Sequence, residues 1–457
     1  MTRPDTADRG ASVQLPAAES DVIASREEAE HYVGLVCFKI GPPRLVGVEL
    51  EWLVHEAHDP TAPLTPARLA DALGEWGPRH LRPDHPHQPR TAADPPQHPT
   101  AQPGESPPHG TRLPRGSTVT VEPGGQVEIS SRPAATLGDC LADVAIDSET
   151  LRTALATAGL TASGYGIDPY RTPARVLDLP RYAAMETFFN RNGPAGRTMM
   201  CSTAAVQVSL DAGTGDSAEP DSITARWHAL HALGPALVAM FANSPVHAGV
   251  ATGWHSARQV AWAGIDAVRG VPATANGGGP VDPRASYARY ALQAPVLCVR
   301  CEGHPWGVPE GITFADWIGG ALGAPPTFAD LRYHLTTLFP PVRAQGHLEV
   351  RYVDAQPGDG WVVPSAVLWA LCADAAAMDA ALAAAEPVAG EWLHAAQAGL
   401  DAPELARAGR GVMAAAIAGL DSAPPEAIPA EARAAVMTFA ERYTMRGRSP
   451  SHDWTEP

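Results

Sequence analysis

Gly47-Val48-Glu49-Leu50-Glu51-Trp52 alternates apolar and acidic side chains with a period of two. Successive side chains on a strand point to opposite faces. The pattern therefore predicts a strand over residues 45–54, with Val48, Leu50 and Trp52 on a covered face and Glu49 and Glu51 on the other. Two carboxylates on one face, two strand rises or about 7 Å apart, repel each other, and a divalent cation beside them compensates. Taken alone, the same stretch also reads as an amphipathic edge strand with a solvated acidic face.

Two further stretches repeat the theme. In Glu122-Pro123-Gly124-Gly125-Gln126-Val127-Glu128, Pro and two glycines make a tight turn between Glu122 and a strand over residues 126–131. Gln126 and Glu128 share one face of that strand, opposite Val127 and Ile129. Gly124 and Gly125 would also let backbone N–H groups approach a phosphate, although a plain turn with capping acids reads equally well. In His347-Leu348-Glu349-Val350-Arg351 the carboxylate and guanidinium share a face. They form either a same-face ion pair or a metal ligand beside a phosphate clamp, since arginine binds phosphate bidentately. Together the three strands offer Glu49, Glu51, Glu122, Glu128 and Glu349, with Arg351 beside them. Hard carboxylate oxygens select Mg²⁺ or Mn²⁺ rather than zinc. Carboxylate-held metal ions with arginine fit a phosphoryl-transfer site.

The composition constrains how phosphate could be bound. Of 457 residues, 33 are Lys or Arg and 50 are Asp or Glu, a formal charge of −17, and Lys39 is the only lysine. GC-rich codon usage accounts for the arginine and alanine bias. The chemical consequence holds regardless: a P-loop needs Lys after its glycines, and Lys39 is followed by Ile40 with no such loop before it. Lys39 itself reads as a cation near the end of the first helix. The acidic balance argues against general nucleic-acid or anionic-membrane binding. The first ten residues lack the apolar run of a signal peptide. No uninterrupted apolar stretch reaches the length of a spanning helix. Cys298 and Cys301 form a single CxxC without the second pair of a zinc ribbon, so the six cysteines read as reduced, cytosolic thiols.

Along the chain, residues 1–20 read as a disordered tail and 446–457 as a C-terminal tail, flanking one catalytic domain over 21–445. Ser25 caps a predicted helix reaching Val36, which Gly41-Pro42-Pro43 ends. Residues 78–116 hold eleven prolines and five histidines (His80, His85, His87, His98 and His109) and read as a flexible insertion, not a metal site. Strands are expected at 117–121, 201–211 and 348–352. Helices are expected at 137–158, 222–242, 364–385, 403–419 and 429–443, with 365–445 a C-terminal helical part. Residues 270–283 read as a Gly/Pro loop. Strands without regular βαβ alternation indicate an α+β chain with a mainly antiparallel sheet.

The two Glu-rich stretches resemble motifs of the plant and proteobacterial type of glutamate–cysteine ligase. So do residues 196–211 (Gly-Arg-Thr-Met-Met-Cys-Ser-Thr-Ala-Ala-Val-Gln-Val-Ser-Leu-Asp), Phe-Ala-Asn-Ser-Pro at 241–245, and Ser-Ala-Arg at 256–258 with Trp262 and Asp266. Thr-Phe-Ala-Asp-Trp at 313–317 and residues 334–343 running into Leu-Glu-Val-Arg at 348–351 complete a series in family order over about residues 30–390. The composition and the His/Pro-rich insertion are most similar to the actinobacterial, ergothioneine-pathway branch.

The resemblance implies a glutamine synthetase-like fold, whose curved, mainly antiparallel sheet with flanking helices holds ATP and Mg²⁺ (or Mn²⁺). It implies joining of the glutamate γ-carboxylate to the cysteine amine through γ-glutamyl phosphate. Residue by residue it makes Glu49, Glu51, Glu122, Glu128 and Glu349 metal ligands. Gln207 stands where some relatives of the fold use a histidine ligand. Arg351 would neutralise the transferred phosphoryl group, Gly124 and Gly125 would lie by the nucleotide, and Arg258 would hold a glutamate carboxylate. Arg181, Thr203, Trp262 and Asp266 would line the substrate pocket. Two departures stand out: no cysteine pair matches the plant regulatory disulfides, and residues 78–116 have no plant counterpart. A related ligase using another amine, and a non-catalytic binder of glutamate or nucleotide, are the competing readings. Partners are small molecules, and monomer and dimer both stay open.

Overall fold

The computed structural model describes residues 18–81, 110–273, 282–301 and 303–454. Most of the first tail, the centre of the Pro/His-rich stretch (82–109), part of the 270–283 loop (274–281) and the last three residues lie outside the described residues. The ends of the Pro/His-rich stretch come together: Thr111 N–H donates to the Glu75 carbonyl at 2.7 Å, and Leu81 and Leu113 are buried.

The strands are β1 Val46–Glu56, β2 Thr118–Val121, β3 Val127–Ser130, β4 Leu160–Ser163, β5 Ala205–Asp211, β6 Val246–His247, β7 Val250–Ala251, β8 Val342–Ala344 and β9 His347–Asp354. Six run in the order β2-β3-β1-β5-β9-β8, β4 pairs with the far end of β1, and β6 and β7 form a separate hairpin. Every pairing is antiparallel, so the expected α+β class with an antiparallel sheet is what the chain adopts. The alternation seen in the sequence decides the two faces. Val48, Leu50, Ile129, Val206, Val208, Leu348 and Val350 are buried in one continuous core. Helices Leu137–Thr157, Gly234–Phe241 and Val362–Ala373 pack against the sheet. Burying one such aliphatic side chain stabilises by about 1.5–3 kcal/mol, which pins the register, because a one-residue slip would turn the glutamates into the core.

Local signals explain most element boundaries. Ser25 caps Arg26–Cys37, its hydroxyl accepting from Glu28 N–H. Thr136 caps Leu137–Thr157 in the same way. Three expectations needed correction. The strand expected from residue 201 begins at Ala205, because Ala195–Ser202 is helical. The helix expected over 222–242 breaks into Ile223–Ala232 and Gly234–Phe241, where Pro235 lacks the N–H a continuous helix needs. Residues 364–385 also divide, because Asp374 leaves the first helix and caps the second by accepting from Ala377 N–H at 2.8 Å. Among the described residues no single helix is long and apolar enough to cross a membrane, and the two helices meeting at Asp374 are bent by 110°. Near the C-terminus, Thr444–Arg446 and Pro450–Asp453 are short helical turns, and Ser449 and Ser451 are buried.

Candidate active site

The sheet register gathers the carboxylates. Glu51 lies directly opposite Glu128 across β1 and β3, and Glu49 opposite Gln207 across β1 and β5. Thr120 of β2 faces Glu128, while Ser209 and Arg343 flank Glu349 from β5 and β8. Glu122 enters from the turn after β2, closed by hydrogen bonds between Glu122 and Gln126 and from Gly125 N–H to the Glu122 carbonyl. Residues spread over some 300 positions of sequence thus share one polar sheet face.

Hydrogen bonds order this face from edge to edge. Thr120 donates to Glu128 Oε1 at 2.6 Å, and Gln207 Nε2 donates to Glu51 Oε1 at 2.8 Å and to Glu128 Oε2 at 3.4 Å. The glutamates nonetheless lack enough positive charge. Burial and the neighbouring Glu128 push Glu51 up to about 8. The same two causes push Glu122 up to about 7. Burial and Glu349 hold Glu49 well above the ordinary carboxylate range, and burial raises Glu128 despite its bond from Thr120.

The counter-charges come from the C-terminal side of the sheet. In the β5–β9 ladder Val208 pairs with Val350 but Val206 with Val353, so Arg351 and Tyr352 together oppose Gln207. This β-bulge re-aims a side chain, and the side chain here is Arg351, whose guanidinium stands 5.4 Å from the centre of the Trp262 ring. Arg258 stands 5.3 Å from the same ring and donates to the Arg351 carbonyl at 2.7 Å. Arg258 Nε and Nη1 and Arg351 Nε are buried without hydrogen-bond partners. Two guanidiniums on one indole, with unspent donors, could receive an anion. Asp354 holds Arg258 in place. This buried carboxylate accepts from Asn243 N–H, Ser244 Oγ and Ser256 Oγ at 2.7–2.9 Å and lies 3.8 Å from Arg258 Nη1. The Phe-Ala-Asn-Ser-Pro and Ser-Ala-Arg stretches therefore meet on one acid.

Several candidate residues have other duties. Glu349 is saturated: Arg343 reaches both oxygens at 2.6 and 3.0 Å, Arg351 donates at 2.6 Å and Gln345 at 2.7 Å. It would have to surrender an arginine to bind a cation. Neither glycine amide is free for phosphate, because Gly124 N–H donates to Gln126 Oε1 and Gly125 N–H to Glu122 O. Gly124 is needed for packing, since a Cβ there would lie 2.1 Å from the Cys201 carbonyl. Thr203 Oγ1 bonds back to Met199 O, and Asp266 accepts from Val268 and Arg269 N–H and from Arg269 Nε. Arg181 is tied to Thr336 and stacks on Tyr333, yet its charge still reaches Glu122. Trp262 is the shared platform of the two arginines. Sequence reasoning passed over Thr120, Arg343, Gln345 and Asp354. Alternation in Val342-Arg343-Ala344 would have placed Arg343 beside Glu349, and extending the last strand two residues would have reached Asp354.

The face fits divalent cations. Four half-buried glutamates are crowded until their protons are held tightly, and Gln207 Oε1 is buried with no hydrogen-bond partner. Glu49, Glu51, Glu122 and Glu128 would hold Mg²⁺ or Mn²⁺, with Gln207 Oε1 beside them. A surface cleft of about 730 Å³ bounded by Arg26 and residues 310–321 contains none of these groups, so chemistry rather than cavity size marks the site.

A family profile described as "Glutamate-cysteine ligase family 2 (GCS2)" matches residues 45–456. The chain is 38% identical over 392 residues to glutamate–cysteine ligase EgtA of Mycobacterium tuberculosis, covering 84% of this chain and 81% of the relative. It is 36% identical over 464 residues to the EgtA of Mycolicibacterium smegmatis, covering 100% and 96%. With the chloroplastic glutamate–cysteine ligase of Brassica juncea the identity is 32% over 248 residues, covering 52% and 46%.

Proposed function

The chain belongs to glutamate–cysteine ligase family 2, and from that premise we propose that it is an ATP- and Mg²⁺-dependent glutamate–cysteine ligase. A glutamate γ-carboxylate oxygen displaces ADP from the γ-phosphorus of ATP, giving γ-glutamyl phosphate. The deprotonated cysteine amine then attacks the acyl carbon and phosphate leaves. The carboxylate must be activated because oxide is a poor leaving group. Its phosphorylated form is a good acyl donor. Divalent cations on the glutamate face would neutralise the triphosphate. Arg351, re-aimed by its bulge, neutralises the charge on the transferred phosphoryl group. Arg258, fixed by Asp354 and Trp262, holds a glutamate carboxylate and so orients the γ-carboxylate. With a single lysine in the chain, arginines take the place of a P-loop lysine.

The observation that carries this reading is the facing arrangement itself. Carboxylates short of positive charge stand opposite Arg258 and Arg351, whose buried donors are unspent. A protein that only bound glutamate would not need such a cation-demanding face. We place the product, γ-glutamylcysteine, in low-molecular-weight thiol synthesis, the ergothioneine branch that the sequence resemblance implies. Cytoplasmic ATP and reduced cysteine suit a chain whose six cysteines are all free. ADP release with glutamate, cysteine and Mg²⁺ tests the assignment. No release with any amine would remove the ligase reading, and release that ignores cysteine but responds to another amine would change the acceptor.

A further inference from the structure

Away from the glutamate face, three segments distant in sequence meet. His255 lies just before helix Ala257–Ala263, Asp401 ends the turn Gly399–Asp401, and His452 lies in the turn Pro450–Asp453. The Asp401 carboxylate reaches both imidazoles: Oδ2 is 3.2 Å from His255 Nε2, and Oδ1 is 2.9 Å from His452 Nε2. The two rings are 4.7 Å apart between centres, and one donor atom from each of the three residues lies within 4.8 Å of the others. Each ring is also fixed from behind. His255 Nδ1 is 2.7 Å from Ser451 Oγ, and His452 Nδ1 accepts from Ser449 N–H at 3.1 Å. Metal-ligating histidines are oriented by such remote contacts, and the tautomer that frees His452 Nε2 would turn its Nδ1–H toward the Ser449 carbonyl, also 3.1 Å away.

We propose that His255, Asp401 and His452 form a second divalent-cation site, of the zinc-preferring two-histidine, one-carboxylate type. Around a tetrahedral zinc with bonds of about 2.0–2.1 Å, neighbouring donors are about 3.3 Å apart. The two Asp–His contacts run to different oxygens of Asp401, and one donor atom from each residue lies within 4.8 Å of the others, so binding one ion needs the donors to close toward that edge. Asp401 is exposed, which leaves the outer coordination position to water. Gly399 supports the approach, because a Cβ there would lie 2.8 Å from the His255 ring. Imidazole donors separate this site from the all-oxygen glutamate face, which suits Mg²⁺. Its position suggests its use: His255 precedes Ser256 and Arg258, so a bound ion would clamp the segment that presents Arg258 to the C-terminal turn. The site stands independently of the ligase assignment.

Metal-free full-length protein titrated with Co²⁺ tests the proposal. The expected result is an intense visible absorption of an imidazole-ligated tetrahedral ion, saturating at one equivalent and displaced by Zn²⁺. His452→Gln and Asp401→Asn should abolish it, and Glu51→Gln should leave it intact. Asp401 is exposed, so Asp401→Asn tests the site even where the histidine variant folds poorly. Zn²⁺ should raise the Tm of the parent protein but not of Asp401→Asn. No band in the parent protein, a band that survives both site variants, or one lost in Glu51→Gln would overturn the assignment and leave a hydrogen-bonded cluster.

Discussion

Arg258 has two duties. Its buried donors are unspent, which the proposed reaction assigns to a glutamate carboxylate, and it is the counter-charge of buried Asp354. Charge-assisted hydrogen bonds are worth about 1.5–3 kcal/mol, so Arg258→Ala should raise the glutamate KM about 10- to 100-fold. Leaving Asp354 without its partner should also destabilise the fold, by up to about 3–5 kcal/mol for a buried pair. Asp354→Asn in the same chain should recover much of that stability without recovering glutamate affinity. Steady-state kinetics and denaturant melts on the parent and the two variants check this, and an unchanged glutamate KM in Arg258→Ala would move the role elsewhere. Glu51→Gln is the complementary test on the sheet. It removes a charge from the centre of the acidic face and should lower kcat by about 10²-fold or more with the fold intact. Near-normal turnover with ordinary Mg²⁺ dependence would remove Glu51 from the ligand set.

At the scale of elements, the site depends on irregularities in otherwise regular strands. The bulge in β9 turns Arg351 toward Trp262 and lets the strand end on Asp354. The Pro-Gly-Gly turn after β2 has its amides spent internally and its Gly124 pressed against Cys201. Its role is to seat Glu122 against the carboxylates. Gly124→Ala should therefore act on stability and on the placement of Glu122. Overpacking of this kind costs about 1–3 kcal/mol, so its Tm should fall, with kcat reduced through misplaced Glu122 and the ATP KM moved less. A normal Tm would contradict the close approach.

Taken whole, the metal-free molecule carries its active-site charge as a liability. Glu51 is pushed up to about 8 and Glu122 to about 7, against 4.5 in an open chain. Between those values the folded state holds more protons than the unfolded one, so the stability these groups contribute falls as pH rises. Mg²⁺ should offset that loss. The rise in Tm on adding Mg²⁺ should be larger at pH 8 than at pH 6, and Glu51→Gln should shrink the difference. A Mg²⁺ effect independent of pH would disconnect the cation from these carboxylates. The acid side is governed differently. Burial lowers His231 to about 4 and His334 to about 3, so the stability they contribute is lost as pH falls from their ordinary value of 6.5 toward those values. Acid melts should show that limb below about 4.5, where the glutamates are protonated in both states, with or without Mg²⁺.

The period-two stretches determined, from sequence alone, which side chains share a face: Glu49 with Glu51, Gln126 near Glu128, Glu349 with Arg351. They also determined that the sheet buries its aliphatic side, because alternation is a property of the strand backbone. The single lysine further restricted the phosphate chemistry to arginine, metal ions and backbone amides. What alternation cannot carry is register between strands, and register is where the site is made. Only the tertiary structure put Glu51 opposite Glu128, gave Glu349 wholly to Arg343, Arg351 and Gln345, and set Arg258 and Arg351 over one tryptophan. The bulge at Arg351 was likewise invisible, whereas the helix breaks at Pro235 and Asp374 carry local signals, a missing N–H and a capping carboxylate. Register and bulge depend on the pairing of a distant strand, and local sequence holds no record of which distant partner will arrive.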